Sequence, residues 1–232
     1  MSINDKLKEQ ISLDKINYFG VADLTPVKQF IESQGGRLVS KYPKAISIGI
    51  ILPNSIIDEL PRRNIRTVAV NYRKNYDITN TRLDLATAKL SGLLQKEGYE
   101  ALSVPASERY DDKKITALFS HKLAAHLAGL GWIGKSCLLI TPESGPRVRW
   151  ATVLTDAPLD TNVELLNVQC GDCNECVNIC PVNAFTGRPF QEDEPREIRY
   201  DARKCEKYLD HDNEDNWMVC GLCIYACPHG QK

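Results

Sequence analysis

The sequence predicts a layered α+β domain followed by a small domain built around cysteines. Three observations carry that prediction. Helical and strand patterns alternate from the start of the chain to about residue 165. Eight of the nine cysteines lie between Cys170 and Cys227. Two cysteine groups each end in Cys-Pro. The expected boundary falls within "TDAPLDTNVELLNVQC", which gives domains of 1–165 and 166–232.

The elements of the larger domain can be justified in order. "NDKLKEQISLDKI" has helical apolar spacing, and "YFGVADL" reads as a short strand after it. Thr25 is expected to cap a helix that opens on Pro26 and stops at Gly35 and Gly36. "AISIGIIL" (45–52) is a β-branched run suited to a buried central strand. "DITNTRLDLATAKLSGLLQKEG" predicts the longest helix, with Leu83, Ala86, Leu90 and Leu93 on one face and Gly98 as its stop. "YEALSVPAS" reads as strand then turn, "ITALFSHKLAAHLAGLG" as helix, and "CLLI" and "VRWATVLT" as strands. Periodicity alone does not separate α/β from α+β.

Composition narrows the function. Lys and Arg (29) nearly balance Asp and Glu (30), a net charge of −1 that gives no general reason to expect nucleic acid or an anionic membrane as partner. No apolar run approaches the ~20 residues of a membrane-spanning helix. The start lacks the apolar core of a signal peptide, so the expected setting is the cytoplasm. Structural disulfides are not expected there, because that compartment keeps thiols reduced.

The cysteines then need another use. Cys170, Cys173, Cys176 and Cys180 form a C-x2-C-x2-C-x3-C-P run, the spacing of bacterial 4Fe-4S ferredoxins. In two-cluster ferredoxins the fourth cysteine of such a run serves the other cluster. The second group, Cys220, Cys223 and Cys227, is one ligand short, and Cys205 in "DARKCEKYLD" fills the gap. The expected ligands are Cys170, Cys173, Cys176 and Cys227 for cluster one, and Cys180, Cys205, Cys220 and Cys223 for cluster two. A pair of structural zinc sites is the plainer alternative, since C-x2-C is also a zinc signature.

One stretch of the larger domain stands out, "HLAGLGWIGKSCLLI". Gly129, Gly131 and Gly134 free the backbone between a helix and a strand, either for tight packing or for close approach of main-chain N–H groups to a ligand. His121 and His126 are five apart on the preceding helix and do not share a face. Cys137, alone at the start of an apolar strand, reads as a small buried hydrophobe.

"AGLGWIGKSCLLI", the first cysteine run, "RKC" and the second Cys-Pro group, in that order, resemble the epoxyqueuosine reductase family, relatives of the corrinoid-dependent reductive dehalogenases. The resemblance implies a cobalamin-binding domain distantly like nitroreductases, fused to a two-cluster ferredoxin-like domain. It implies a corrinoid held over Gly131, Trp132, Ile133, Gly134, Lys135 and Ser136. Where the family carries an aspartate proposed as proton donor, this chain has His121, the expected catalytic residue. The upstream segment reads "VNYRKNYDITNTRLD", and no helical repeats follow Cys227. From these departures the expected function is a corrinoid-linked redox protein. Its two 4Fe-4S clusters would pass electrons from an unidentified low-potential donor to its own corrinoid or a corrinoid protein, with nucleic acid not expected. The alternatives are an epoxyqueuosine reductase acting on tRNA and a ferredoxin-like carrier without corrinoid.

Overall fold

The computed structural model describes residues 2–161, 163–192, 194–210 and 218–231. The chain forms two compact units, each drawn from three segments. The first comprises Met1–Ile50, Thr79–Leu130 and Arg149–Leu166; the second comprises Ile51–Ile78, Gly131–Val148 and Asn167–Lys232. The last crossing, after Leu166, lies beside the boundary expected from sequence, and two earlier segments also join the second unit.

In chain order the elements are α1 (Ile3–Leu13), β1 (Tyr18–Asp23), α2 (Lys28–Gly35), α3 (Arg37–Ser40), β2 (Lys44–Ile51), α4 (Asn54–Ile57), α5 (Arg66–Lys96), β3 (Ala101–Val104) and α6 (His121–Leu127). They continue with β4 (Trp132–Ile133), β5 (Leu139–Ile140), β6 (Val148–Thr155), α7 (Glu175–Asn178), α8 (Ala202–Asp210) and α9 (Leu222–Tyr225).

The first unit is built on a four-stranded sheet of order β1-β2-β6-β3, in which β1 pairs antiparallel with β2 and β3 with β6. Alternation along the strands sends successive side chains to opposite faces. Val21, Ile46, Ile48, Ile50, Ala151 and Val153 pack with Leu7 and Ile11 of α1 and with Leu83, Ala86, Leu90 and Leu94 of α5. Ala22, Ala45, Val104 and Leu154 pack with Ile31, Val39, Leu123 and Ala124 of α2, α3 and α6. A helix layer on each face of a sheet whose two outer pairs are antiparallel makes this the α+β class expected.

Local chemistry sets the ends. Ser2 and Asp5 form a capping box at α1. Thr25 does not cap α2. Its N–H is taken by Asp23 Oδ1 at 2.9 Å, and Pro26 opens a short 3-10 turn that precedes the helix. α5 starts well upstream of the expected Asp77, because residues 66–76 lack a continuous apolar stripe that would mark them as helix in the sequence. Leu94 takes the fully buried place on its inner face, with Leu93 partly buried beside it. α6 is shorter than its pattern suggests. An Asp111–Thr116 bridge occupies the preceding residues, and the Ser120 hydroxyl caps the helix on Leu123 N–H.

The second unit has little regular structure. Its apolar cluster is Leu52, Ile57, Leu60 and Leu222, with Tyr72, Ile179, Ile224 and Tyr225 packed against it. The β4–β5 hairpin pairs Trp132 with Ile140 and Ile133 with Leu139. Among the described residues no helix is long and apolar enough to cross a membrane.

Candidate iron–sulfur centre

Two turns of the second unit are built alike. Cys173–Cys180 and Cys220–Cys227 both read C-x2-C-x3-C-P, and each carries a one-turn helix, α7 or α9, whose second residue is a cysteine, Cys176 or Cys223. The two helices pack against each other. The proline that follows bars the last cysteine from helical geometry. Cys227 is accordingly extended (φ −69°, ψ 119°), and Pro228 opens a 3-10 turn.

The thiols gather in two neighbourhoods. Burial pushes the Cys176 thiol up to about 11, and Cys227, Cys170 and Cys173 act on it in the same direction. Cys227 is also raised, first by burial and then by Cys170 and Cys173, against backbone hydrogen bonds from His229 and Gly230. Burial likewise raises Cys223, with Cys220 and Cys205 the nearest contributors, and raises Cys205, with Cys220 and Cys180 adding to it. Cys223 feels Cys176 as well, so the two neighbourhoods adjoin. Among the described residues no three His, Cys, Asp or Glu side chains are gathered tightly enough for a single metal ion. The thiols nonetheless lie close enough to perturb one another.

Several polar groups anchor these turns. The Tyr200 hydroxyl donates to the Cys205 sulfur, and its ring stacks on Phe185 with centroids 5.1 Å apart. Ala184 N–H donates to Cys180 Sγ at 3.3 Å. Arg147, 2% exposed, donates to Asn54 Oδ1 at 2.8 Å and pairs with Asp58 at 2.7 Å. Its guanidinium lies along the Cys227–Gly230 turn, where a Cβ on Gly230 would sit 2.9 Å from Arg147 Nε. Neither Tyr200 nor Arg147 is marked by any local motif; only their contacts reveal them.

The Gly131–Ser136 loop belongs to the same unit and is turned inward. Trp132 is fully buried, and Ile133, Lys135 and Ser136 are buried with it. A Cβ on Gly131 would meet the Ile140 carbonyl oxygen at 2.3 Å. One on Gly134 would meet Ile140 at 2.9 Å and Cys170 Sγ at 3.4 Å. These glycines admit a hairpin strand and a cysteine. Lys135 Nζ donates to the carbonyls of Gly171 (2.8 Å) and Cys173 (3.1 Å) and to Asn174 Oδ1 (3.1 Å). The Trp132 ring meets His229 edge-on at 5.0 Å, and its Nε1 is buried with no acceptor among the described residues.

His121 stands in the first unit. Its Nδ1 meets Thr152 Oγ1 at 2.9 Å and its Nε2 meets the Pro105 carbonyl at 3.0 Å. A carbonyl only accepts, so Nε2 carries the proton and Nδ1 accepts from the threonine hydroxyl. Burial lowers the ring's pKa to about 4, against the opposing pull of the Pro105 carbonyl. The imidazole is thus neutral near pH 7 with both nitrogens engaged.

Residues 169–230 match the family model of the 4Fe-4S double cluster binding domain. An epoxyqueuosine reductase from Gloeobacter violaceus is 36% identical over 126 residues, which are 49% of this chain and 36% of the relative. Over that stretch the chain is similar to epoxyqueuosine reductases. The alignment nevertheless spans little more than a third of that relative's length. The likeness of fold, by contrast, runs over nearly the whole chain. A crystal structure of epoxyqueuosine reductase with a tRNA-Tyr epoxyqueuosine-modified stem loop superposes at a TM-score of 0.59, with 19% identity, over 99% of this chain and 66% of that one. A reductive dehalogenase whose structure is described in terms of B12-dependent dehalogenation gives 0.66 and 18%, over 96% of this chain and 31% of its own.

Two expectations are corrected by these findings. The corrinoid-reducing reading gives way, because the curated relatives are reductases named for a modified nucleoside. The exclusion of nucleic acid gives way too, because a structural neighbour holds a tRNA stem loop. The net charge misled through averaging. Between Glu59 and Asp77 the chain carries Arg62, Arg63, Arg66, Arg73 and Lys74 with no carboxylate among them, and acidic segments elsewhere cancel that local excess.

Proposed function

We propose that this chain is an oxidoreductase of the epoxyqueuosine reductase type, acting on epoxyqueuosine in tRNA. Reductive loss of an epoxide oxygen consumes two electrons and two protons, leaves an alkene and releases water. A 4Fe-4S cluster passes electrons singly, so two adjoining clusters suit a two-electron reaction. What supports the reading is the gathering of eight thiols into two adjoining sets inside the matched cluster domain. In the proposal Cys170, Cys173, Cys176 and Cys227 hold one cluster, and Cys180, Cys205, Cys220 and Cys223 the other. Thiols held protonated by burial lose their protons to iron on assembly. The unpartnered Trp132 N–H supplies a donor that a cluster sulfide would satisfy.

A corrinoid enters only through kinship with the family. The Cβ sides of Gly131 and Gly134 in the loop expected to hold it are occupied by Ile140 and Cys170. His121 takes part as a neutral residue that ties the Pro105 carbonyl to the Thr152 hydroxyl. The cytoplasm remains the proposed setting, because nine free cysteines suit a reducing compartment.

The test is anaerobic. Protein purified without oxygen is assayed for iron and sulfide, then incubated with an epoxyqueuosine tRNA stem loop and a low-potential reductant, with and without cobalamin. About eight iron atoms per chain and conversion to queuosine are expected. Full iron content without conversion under either condition would overturn the substrate assignment.

A further inference from the structure

A buried charge without a counter-charge is costly, and ordinary buried lysines are paired. Lys135 is 7% exposed, yet its Nζ contacts only neutral acceptors: the Gly171 and Cys173 carbonyls and Asn174 Oδ1. No carboxylate pairs with it among the described residues. Those three oxygens are supplied by the turn that carries Cys170 and Cys173, and Asn174 in turn binds the Asp172 carbonyl at 3.2 Å. Among the described residues no hydrogen bond from an ammonium to the turns carrying the second set of thiols is seen. Its fixed donors are the uncharged Tyr200 hydroxyl and the Ala184 N–H.

We propose that Lys135 is the built-in counter-charge of the cluster held by Cys170, Cys173, Cys176 and Cys227, a positioning residue that holds the Gly171–Asn174 turn and raises that cluster's reduction potential. The inference rests on the iron–sulfur reading above. On reduction the cluster gains one electron, with no bond made or broken and no proton taken up. An ammonium fixed beside it stabilises the extra negative charge, and net charge near a cluster is one of the levers that set its potential. The same charge explains how the ammonium tolerates burial: four thiolates and their iron core carry the negative charge that its protein neighbours lack.

The experiment is a redox titration of the anaerobic holoprotein, followed by electron paramagnetic resonance, on wild type, Lys135→Gln and Lys135→Arg. Lys135→Gln keeps a donor of similar length but removes the charge. One of the two reduction waves should then move to more negative potential while the other stays. Lys135→Arg should return it towards wild type. Waves that stay put in Lys135→Gln at full iron content would overturn the proposal. So would an equal displacement in both variants, or loss of about half the iron in both, since either makes Lys135 a steric brace only. Iron loss in Lys135→Gln alone would support it, because charge is then what the site requires. Wild-type protein lacking iron would instead sink the iron–sulfur reading itself.

Discussion

The two units of this chain are held together by different physics. The first closes a sheet between helices, and its interior is aliphatic on both faces. Burial at roughly 25 cal/mol per Å2 can carry such a core unaided. In the second unit the cluster around Leu52, Ile57, Leu60 and Leu222 is small, the helices that carry Cys176 and Cys223 are single turns, and burial alone disfavours those two thiols as anions. Ligation of the thiols is the stabilisation such a unit can add. The lesson is that one chain divides its labour: packing holds the first unit, while ligation holds the second.

The largest expected effect breaks that comparison directly. Chelating the iron should strip hydrogen-exchange protection from residues 131–148, 167–192, 194–210 and 218–231 while β1, β2, β3 and β6 stay protected, because metal binding and folding are one equilibrium in cluster domains. Uniform loss across both units would show that packing and ligation are not separable here.

Next in size is the converse change. Leu90 is fully buried against the sheet, and Leu90→Ala should cost about 2–5 kcal/mol in urea unfolding. Iron content and the visible spectrum of the clusters should be retained. Bleaching of the clusters at the same denaturant concentration as loss of the sheet would merge the two units into one cooperative block.

The smallest effect sharpens the account of His121. Replacing it with alanine strands the Thr152 hydroxyl, which is fully buried, and should cost about 1–3 kcal/mol. Its pKa is depressed in the fold, so its stabilising contribution is present above about 6.5 and lost as pH falls towards 4. His121→Gln should flatten that part of the acid limb of the stability curve. A limb unchanged by the substitution would mean that His121 titrates as an exposed histidine does.

What the sequence determined by itself was whatever depends on short-range spacing. Two C-x3-C-P turns announced a double iron–sulfur domain, because a cubane's geometry is written into intervals of two and three residues. Periodicity found the strands β1, β2, β3 and β6 and the inner face of α5 between Leu83 and Leu90. Tertiary structure alone decided the rest. It drew residues 51–78 and 131–148 into the second unit, filled the space beside Gly131 and Gly134 with Ile140 and Cys170, and set Lys135 on the Gly171–Asn174 turn. It also buried His121, for which the family resemblance implies a catalytic role. The physical reason is the same in each case. A motif encodes what neighbours along the chain can reach, whereas burial, charge pairing and close approach depend on partners tens of residues away, and these exist only once the chain has closed.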